Sequence, residues 1–146
     1  MKPQDLRIGN YVYYENTTHI ISGIMGSKIY SWWVKDGKPV IEYEQKDIGG
    51  AQVENPYIDV ISRHEPIPLT EEWLIKLGIE FKDKKHLYWV KGAFNLELTE
   101  EGDVYFEVYS HYIDVKYVHQ LQNLYFALTG EELKQDNETN SDRMDT

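Results

Sequence analysis

The chain has 146 residues, enough for one ordinary domain or two very small ones, and a formal charge of −10. It contains no cysteine, which excludes disulfides, thiolate metal sites and a cysteine nucleophile. Nucleic acid is an unlikely partner for so acidic a chain, because phosphate backbones are repelled unless the bases are segregated.

No apolar run approaches the roughly 20 residues of a membrane span. The opening MKPQDLRIGN lacks the apolar stretch of a signal peptide, so the expected compartment is the cytoplasm. Twelve tyrosines, four tryptophans and four phenylalanines stand out, residues that favour strands and also interfaces.

Residues 5–62 read as a run of short strands. Alternation from Tyr11 to Tyr14 puts Val12 and Tyr14 on one face and Tyr11 and Tyr13 on the other. Asn16-Thr17-Thr18 turns the chain into His19–Ile24. Lys28–Val34 then sets Tyr30, Trp32 and Val34 against Ile29, Ser31 and Trp33. Asp36-Gly37 is a two-residue hairpin signal, followed by strands at Pro39–Glu44 and Tyr57–Ile61, with Gly49-Gly50 and Asn55-Pro56 between. Five short strands with these turns suggest a small, strongly bent SH3-like barrel over residues 1–65.

Pro66 and Pro68 break both helix and ladder and predict an extended linker over Glu65–Leu69. Thr70 is placed to cap a short helix carrying Trp73, Leu74 and Leu77 and ending at Gly78. A meander follows, with strands at Ile79–Phe81, Leu87–Val90, Phe94–Leu98 and Val104–Tyr109, and a further short strand over Tyr112–Val115. Its turns are Asp83-Lys84-Lys85, Lys91-Gly92 and Glu100–Asp103. One apolar sheet face needs a cover, and the segment Tyr117–Leu128 supplies an amphipathic helix to provide it.

In that helix Tyr117, Leu121, Leu124 and Leu128 form the apolar stripe, widened by Val118 and Tyr125, and Gly130 ends it. The opposite stripe reads His119, Gln122, Asn123 and Phe126. A ring framed by amides suits recognition of a partner, or a self-complementary homodimer. Alternatively, another layer of the same chain covers it and the amides satisfy backbone groups. The fold class is therefore α+β and β-rich: a small barrel, an αββββα unit over 66–133, and a polar tail from Lys134 to Thr146 that is too poor in apolar residues to order itself.

Searches for chemistry return little. The histidines at 19, 64, 86, 111 and 119 have no i, i+4 pairing and no zinc-binding spacing, so no metal site is expected. There is no nucleophile elbow, no phosphate loop and no motif for a cofactor. The aromatic residues are the better lead. Tyr11, Tyr13, Trp32 and Trp33 would form a groove for a protein or peptide, or else fill the barrel interior. The residues nominated for partner binding are these four with Gln122, Asn123 and Phe126. A second reading, from a different class, is a protein that sequesters a small molecule or nucleotide, with Lys85, Lys91 and Lys116 supplying positive charge.

Three segments carry a resemblance: Leu6-Arg7-Ile8-Gly9-Asn10-Tyr11-Val12, Pro66-Ile67-Pro68-Leu69-Thr70-Glu71-Glu72-Trp73-Leu74, and the stretch YVHQLQNLYFALTG over residues 117–130. With these the chain resembles a group of small uncharacterised proteins of gut Bacteroidota and of their phages and mobile elements. No activity is established for that group, so the resemblance implies no catalytic residues. It implies a bacterial or phage cytosolic setting and an accessory role in a mobile element, including interference with a host defence signal.

Overall fold

A computed structural model describes residues 1–45, 52–83, 88–92, 94–108 and 111–135. The chain divides into two compact units, Met1–Pro66 and Ile67–Thr146. Among the described residues there are two α-helices and three sheets, an α+β arrangement rich in strand. No helix among them is long and apolar enough to cross a membrane.

In the first unit β1 (Tyr11–Tyr14), β2 (Thr17–Met25) and β3 (Lys28–Lys35) form an antiparallel meander. The far edge of β3 is shared. Its residues Lys28–Ser31 pair with β7 (Tyr57–Val60), and Val34 and Lys35 pair with β4 (Lys38–Pro39). β5 (Tyr43–Gln45) and β6 (Gln52–Glu54) make a separate hairpin. A one-turn 3₁₀ helix, Ile61–Arg63, then leads into β8 (His64–Glu65), which pairs with the free edge of β1. Three residues thus carry the chain from one edge of the sheet to the other, so the sheet must curl. None of the three sheets closes into a barrel: the pairing runs β4–β3–β2–β1–β8, with β7 beside β3.

Local chemistry explains where these strands begin and end. Asp36 and Gly37 both have positive φ (52° and 76°), the geometry of a two-residue turn whose twist matches a hairpin. The first turn lies one residue earlier than the sequence suggested, at Glu15 and Asn16 (φ 50° and 62°), so Thr17 and Thr18 already belong to β2. The expected single strand Pro39–Glu44 is broken in two. Pro39 has no N–H for a ladder and ends β4, while Tyr43–Gln45 pairs elsewhere. Glu65, the first residue of the expected linker, belongs to strand β8 (His64–Glu65).

The second unit starts with Leu69 donating to the Lys116 carbonyl and Val118 donating to that of Ile67, which fixes the chain beside the start of the last helix. Thr70 Oγ1 accepts from the Trp73 amide at 3.3 Å and caps α1 (Glu71–Lys76). Strands β9 (Glu80–Asp83), β10 (Tyr88–Lys91), β11 (Phe94–Leu98), β12 (Val104–Val108) and β13 (His111–Val115) form an antiparallel meander of five strands, the last being the short extra one. Trp89, Phe94, Leu96, Val104 and Val115 are buried, and Tyr125 of α2 (Val118–Thr129) meets the Phe94 ring edge-on at 5.3 Å. The helix therefore covers the face that carries Phe94.

At its start, Gln120 Oε1 accepts from the amides of Lys116 and Tyr117 at 3.0 and 3.2 Å. At its end, Gly130 adopts φ 75° and donates to the Phe126 carbonyl, closing the helix in the left-handed conformation that glycine tolerates. The buried face is Val118, His119, Leu121, Gln122 and Tyr125. This corrects the expected stripe. Leu121 is fully buried, but Leu128 is 55% exposed, while His119 and Gln122 of the supposed polar face lie inside. The reason is the segment after Gly130. It brings the fully buried Leu133 back to the helix, where its carbonyl accepts from Gln122 Nε2 at 2.9 Å.

The turns at Gly49-Gly50 and Asp83-Lys84-Lys85 involve residues outside those described, as does the expected loose tail from residue 136.

Candidate functional site

The most concentrated set of titratable groups lies inside the N-terminal sheet. Three successive strands each place one apolar and one polar residue inward: Val12 and Tyr14 on β1, Ile21 and His19 on β2, Ile29 and Ser31 on β3. The apolar members join Leu6 in a core, with Ile24 and Ile61 packed against it. The polar members meet one another and residues that β7, the 3₁₀ turn and β8 bring in.

Tyr14 is the hub. Its hydroxyl donates to Asp59 Oδ2 at 2.6 Å. Its ring stacks on His64 at 4.7 Å between centroids and meets His19 edge-on at 5.2 Å. His19 lies edge-on to Tyr57 at 5.1 Å, and its Nδ1 is 2.9 Å from Ser31 Oγ. His64 Nδ1 lies 2.9 Å from the Val60 carbonyl. A carbonyl only accepts, so Nδ1 of His64 carries the proton and Nε2 of the neutral ring is left as the acceptor.

The electrostatics follow from burial. His19 is pushed down from 6.5 to about 4, first by burial and then by the neighbouring His64. Burial also lowers His64, against the Val60 carbonyl and Asp59, which favour its charge. The Asp59 carboxylate, bonded to it, drives the Tyr14 hydroxyl up to about 12, and burial adds to this. Asp59 in turn is held below its usual range, chiefly by that hydroxyl and then by the Val60 amide. At neutral pH this is a set of two neutral imidazoles, a protonated phenol and one carboxylate, which also faces the Arg63 guanidinium at 3.8 Å.

Such groups are able to hold and pass a proton, and Ser31 with His19 has the spacing of a nucleophile and its base. Access decides otherwise. Ser31 is fully buried, and His19 and His64 are 3% and 5% exposed. The open space lies beside the cluster. A cleft of about 370 Å³ is lined by Tyr13, Tyr14, Glu15 and Asn16 of β1 and its turn, and by Ser62, Arg63 and Glu65 of the 3₁₀ turn and β8. Among the described residues no group of three His, Asp or Glu side chains is placed to hold a metal ion.

The residues nominated from the sequence are divided by the fold. Tyr11 and Trp32, 2% and 6% exposed, are interior and present no groove. Alternation assigned them to faces without telling which face is covered. On β3 both faces are closed, since Ile29 and Ser31 are buried and so are Trp32 and Val34. Tyr13 and Trp33 are half-buried, and only Tyr13 lines the cleft. Gln122 is fully buried on its bond to Leu133, Asn123 is half-buried, and Phe126 is 38% exposed.

Two of the three bases of the nucleotide reading, Lys91 and Lys116, lie among the described residues. Lys91 ends β10, and Lys116, following β13, pairs with Asp114 at 3.8 Å. Their strands are three ladder spacings apart in the sheet, about 14 Å. Lys85 lies outside the described residues.

The residues that sequence reasoning missed are His19, Asp59 and His64. Asp59 and His64 reach Tyr14 from 45 and 50 positions away, which no local pattern reports. His19 did carry a signal: it alternates with Ile21 in a strand whose apolar side faces in. No protein-family model, curated protein or solved structure matches this chain.

Proposed function

We propose that the chain is a non-enzymatic interaction module that binds a protein or peptide partner in the cytoplasm, with the cleft beside Tyr13 as the contact surface of its first unit. One observation carries this reading. Ser31, His19 and His64 are buried, while the accessible hollow beside Tyr14 offers the Tyr13 ring, two carboxylates and a guanidinium that also pairs with Asp59 at 3.8 Å. Tyrosine and arginine supply large contact area and fixed hydrogen bonds at low entropy cost. The framing turn, with two left-handed residues, and the 3₁₀ turn hold the rims in place.

A curled meander whose last strand returns beside its first supports reading this unit as an opened relative of the SH3-like small barrels. The likeness of three segments to proteins of phages and mobile elements supports an accessory role in a bacterial host.

The test is selection of peptides from a displayed random library on the immobilised full chain. Tyr13→Ala and Arg63→Glu should each lose the selected peptides with little change in melting temperature. A peptide set that binds both variants as it binds the parent would remove the cleft from the function.

A further inference from the structure

The second unit has a face that nothing above uses. On the side of its sheet opposite Phe94, strand register brings Glu97 of β11 beside Tyr105 of β12, and Tyr105 beside Asp114 of β13, with Glu107 and Tyr112 as the next pair. The Tyr105 and Tyr112 rings meet edge-on at 6.3 Å. With Glu97 and Thr99 they line a hollow of about 300 Å³.

Among the described residues the charge there is of one sign apart from Lys116, which is paired with Asp114. Asp103 above all, then burial, Asp114 and Glu101, hold the Tyr105 hydroxyl above its ordinary range. Separated carboxylates around two rings suit a diffuse organic cation better than a compact metal ion, which needs three or more ligands converging on one point.

We propose that this face binds the cationic side chain of a lysine- or arginine-bearing peptide, seated against Tyr105 and Tyr112 and neutralised by Glu97 and Glu107. The charge complementarity is the argument for that occupant. A neutral or acidic segment would desolvate these carboxylates with nothing in return. β13 ends the sheet among the described residues, which leaves the Tyr112 side open to an extended chain.

The experiment titrates the full chain with an alternating lysine–serine peptide, its arginine counterpart and an alternating glutamate–serine peptide, followed by calorimetry and by tyrosine resonances. The basic peptides should bind, more weakly as salt rises, and the acidic one should not. Tyr112→Ala should weaken binding about threefold or more. Glu97→Gln with Glu107→Gln should weaken it further, while Tyr112→Phe, which keeps the ring, binds as the parent does.

The control pair Glu54→Gln and Glu71→Gln removes the same charge from exposed positions elsewhere and should change nothing. Equal weakening by the two pairs would mean that net charge alone attracts the peptide, and the proposal would fall. It would also fall if the acidic peptide bound equally well or no basic peptide bound. Tyr13→Ala should leave this binding intact, so the outcome is separable from that of the cleft in the first unit.

Discussion

The inward face of the N-terminal sheet and the helix-covered face of the C-terminal sheet are both closed interiors filled by different chemistry. The first ends in a phenol, two imidazoles, a hydroxyl and a carboxylate held by specific bonds. The second is built from Trp89, Phe94, Leu96, Val104 and Leu121, with the buried amide of Gln122 bonded to a carbonyl and the buried imidazole of His119 on the same helix. Apolar burial is indifferent to pH. A buried imidazole is not, because it must stay neutral to remain inside. The comparison therefore sets the neighbouring buried imidazoles of His19 and His64 in one unit against a mainly apolar interior, which also holds the buried His119, in the other.

The largest expected effect tests the packing half. Leu121→Ala should cost about 2–5 kcal/mol, the range for emptying a buried leucine site. Leu128→Ala, seven positions on and 55% exposed, should cost little. Urea melts of the two variants give the contrast, and equal costs would mean that the helix presents a different face from the one described.

Next comes acid. His19 titrates near 6.5 in the unfolded chain but at about 4 in the fold, so the unfolded state binds the proton first. Stability is complete above about pH 6.5 and declines as pH falls toward 4, by on the order of 2 kcal/mol. His64 acts in the same direction. Denaturant midpoints across that window should flatten in His19→Gln. Amide exchange should accelerate in Tyr11–Tyr14 before it does in Phe94–Leu98, and the reverse order would break the comparison.

A smaller effect probes a polar contact of the C-terminal interior. Gln122→Ala leaves the Leu133 carbonyl without its donor and should cost about 1–3 kcal/mol, with loss of proteolytic protection around Leu133. The smallest comes from Gly130→Ala. Nothing lies within 4 Å of the added methyl, so the cost is that of the left-handed backbone alone, about 1 kcal/mol. A cost several times larger would indicate a packing role for that position.

What the sequence made legible was local. Asp36-Gly37 marked its hairpin, Thr70 its cap and Gly130 its stop, because each needs only neighbours and its own φ. The alternation of Phe94 and Leu96 marked the buried side of β11 for the same reason. What stayed hidden depended on distant segments. Period put Gln122 on the stripe opposite Leu121 and left open whether another layer of the chain covers it; the chain beyond Gly130 does, with the amide bonded to a backbone carbonyl as that alternative required. Tyr11 and Trp32 read as surface or core equally well until the covering of their face was known. Tyr14 shares a face with Val12 as the pattern required, yet its importance comes from Asp59 and His64.

The three-residue 3₁₀ turn between β7 and β8 has a bearing on how the molecule is made. β1 pairs with β2 almost at once, but its other edge waits for His64 and Glu65, some fifty positions later. Closing so large a loop is entropically slow compared with closing a hairpin. On the ribosome the first strand therefore stands half-matched until the whole unit has emerged. A translation pause just before residue 64 would hold Tyr14 exposed at the stage when the nascent chain is most vulnerable to mispairing.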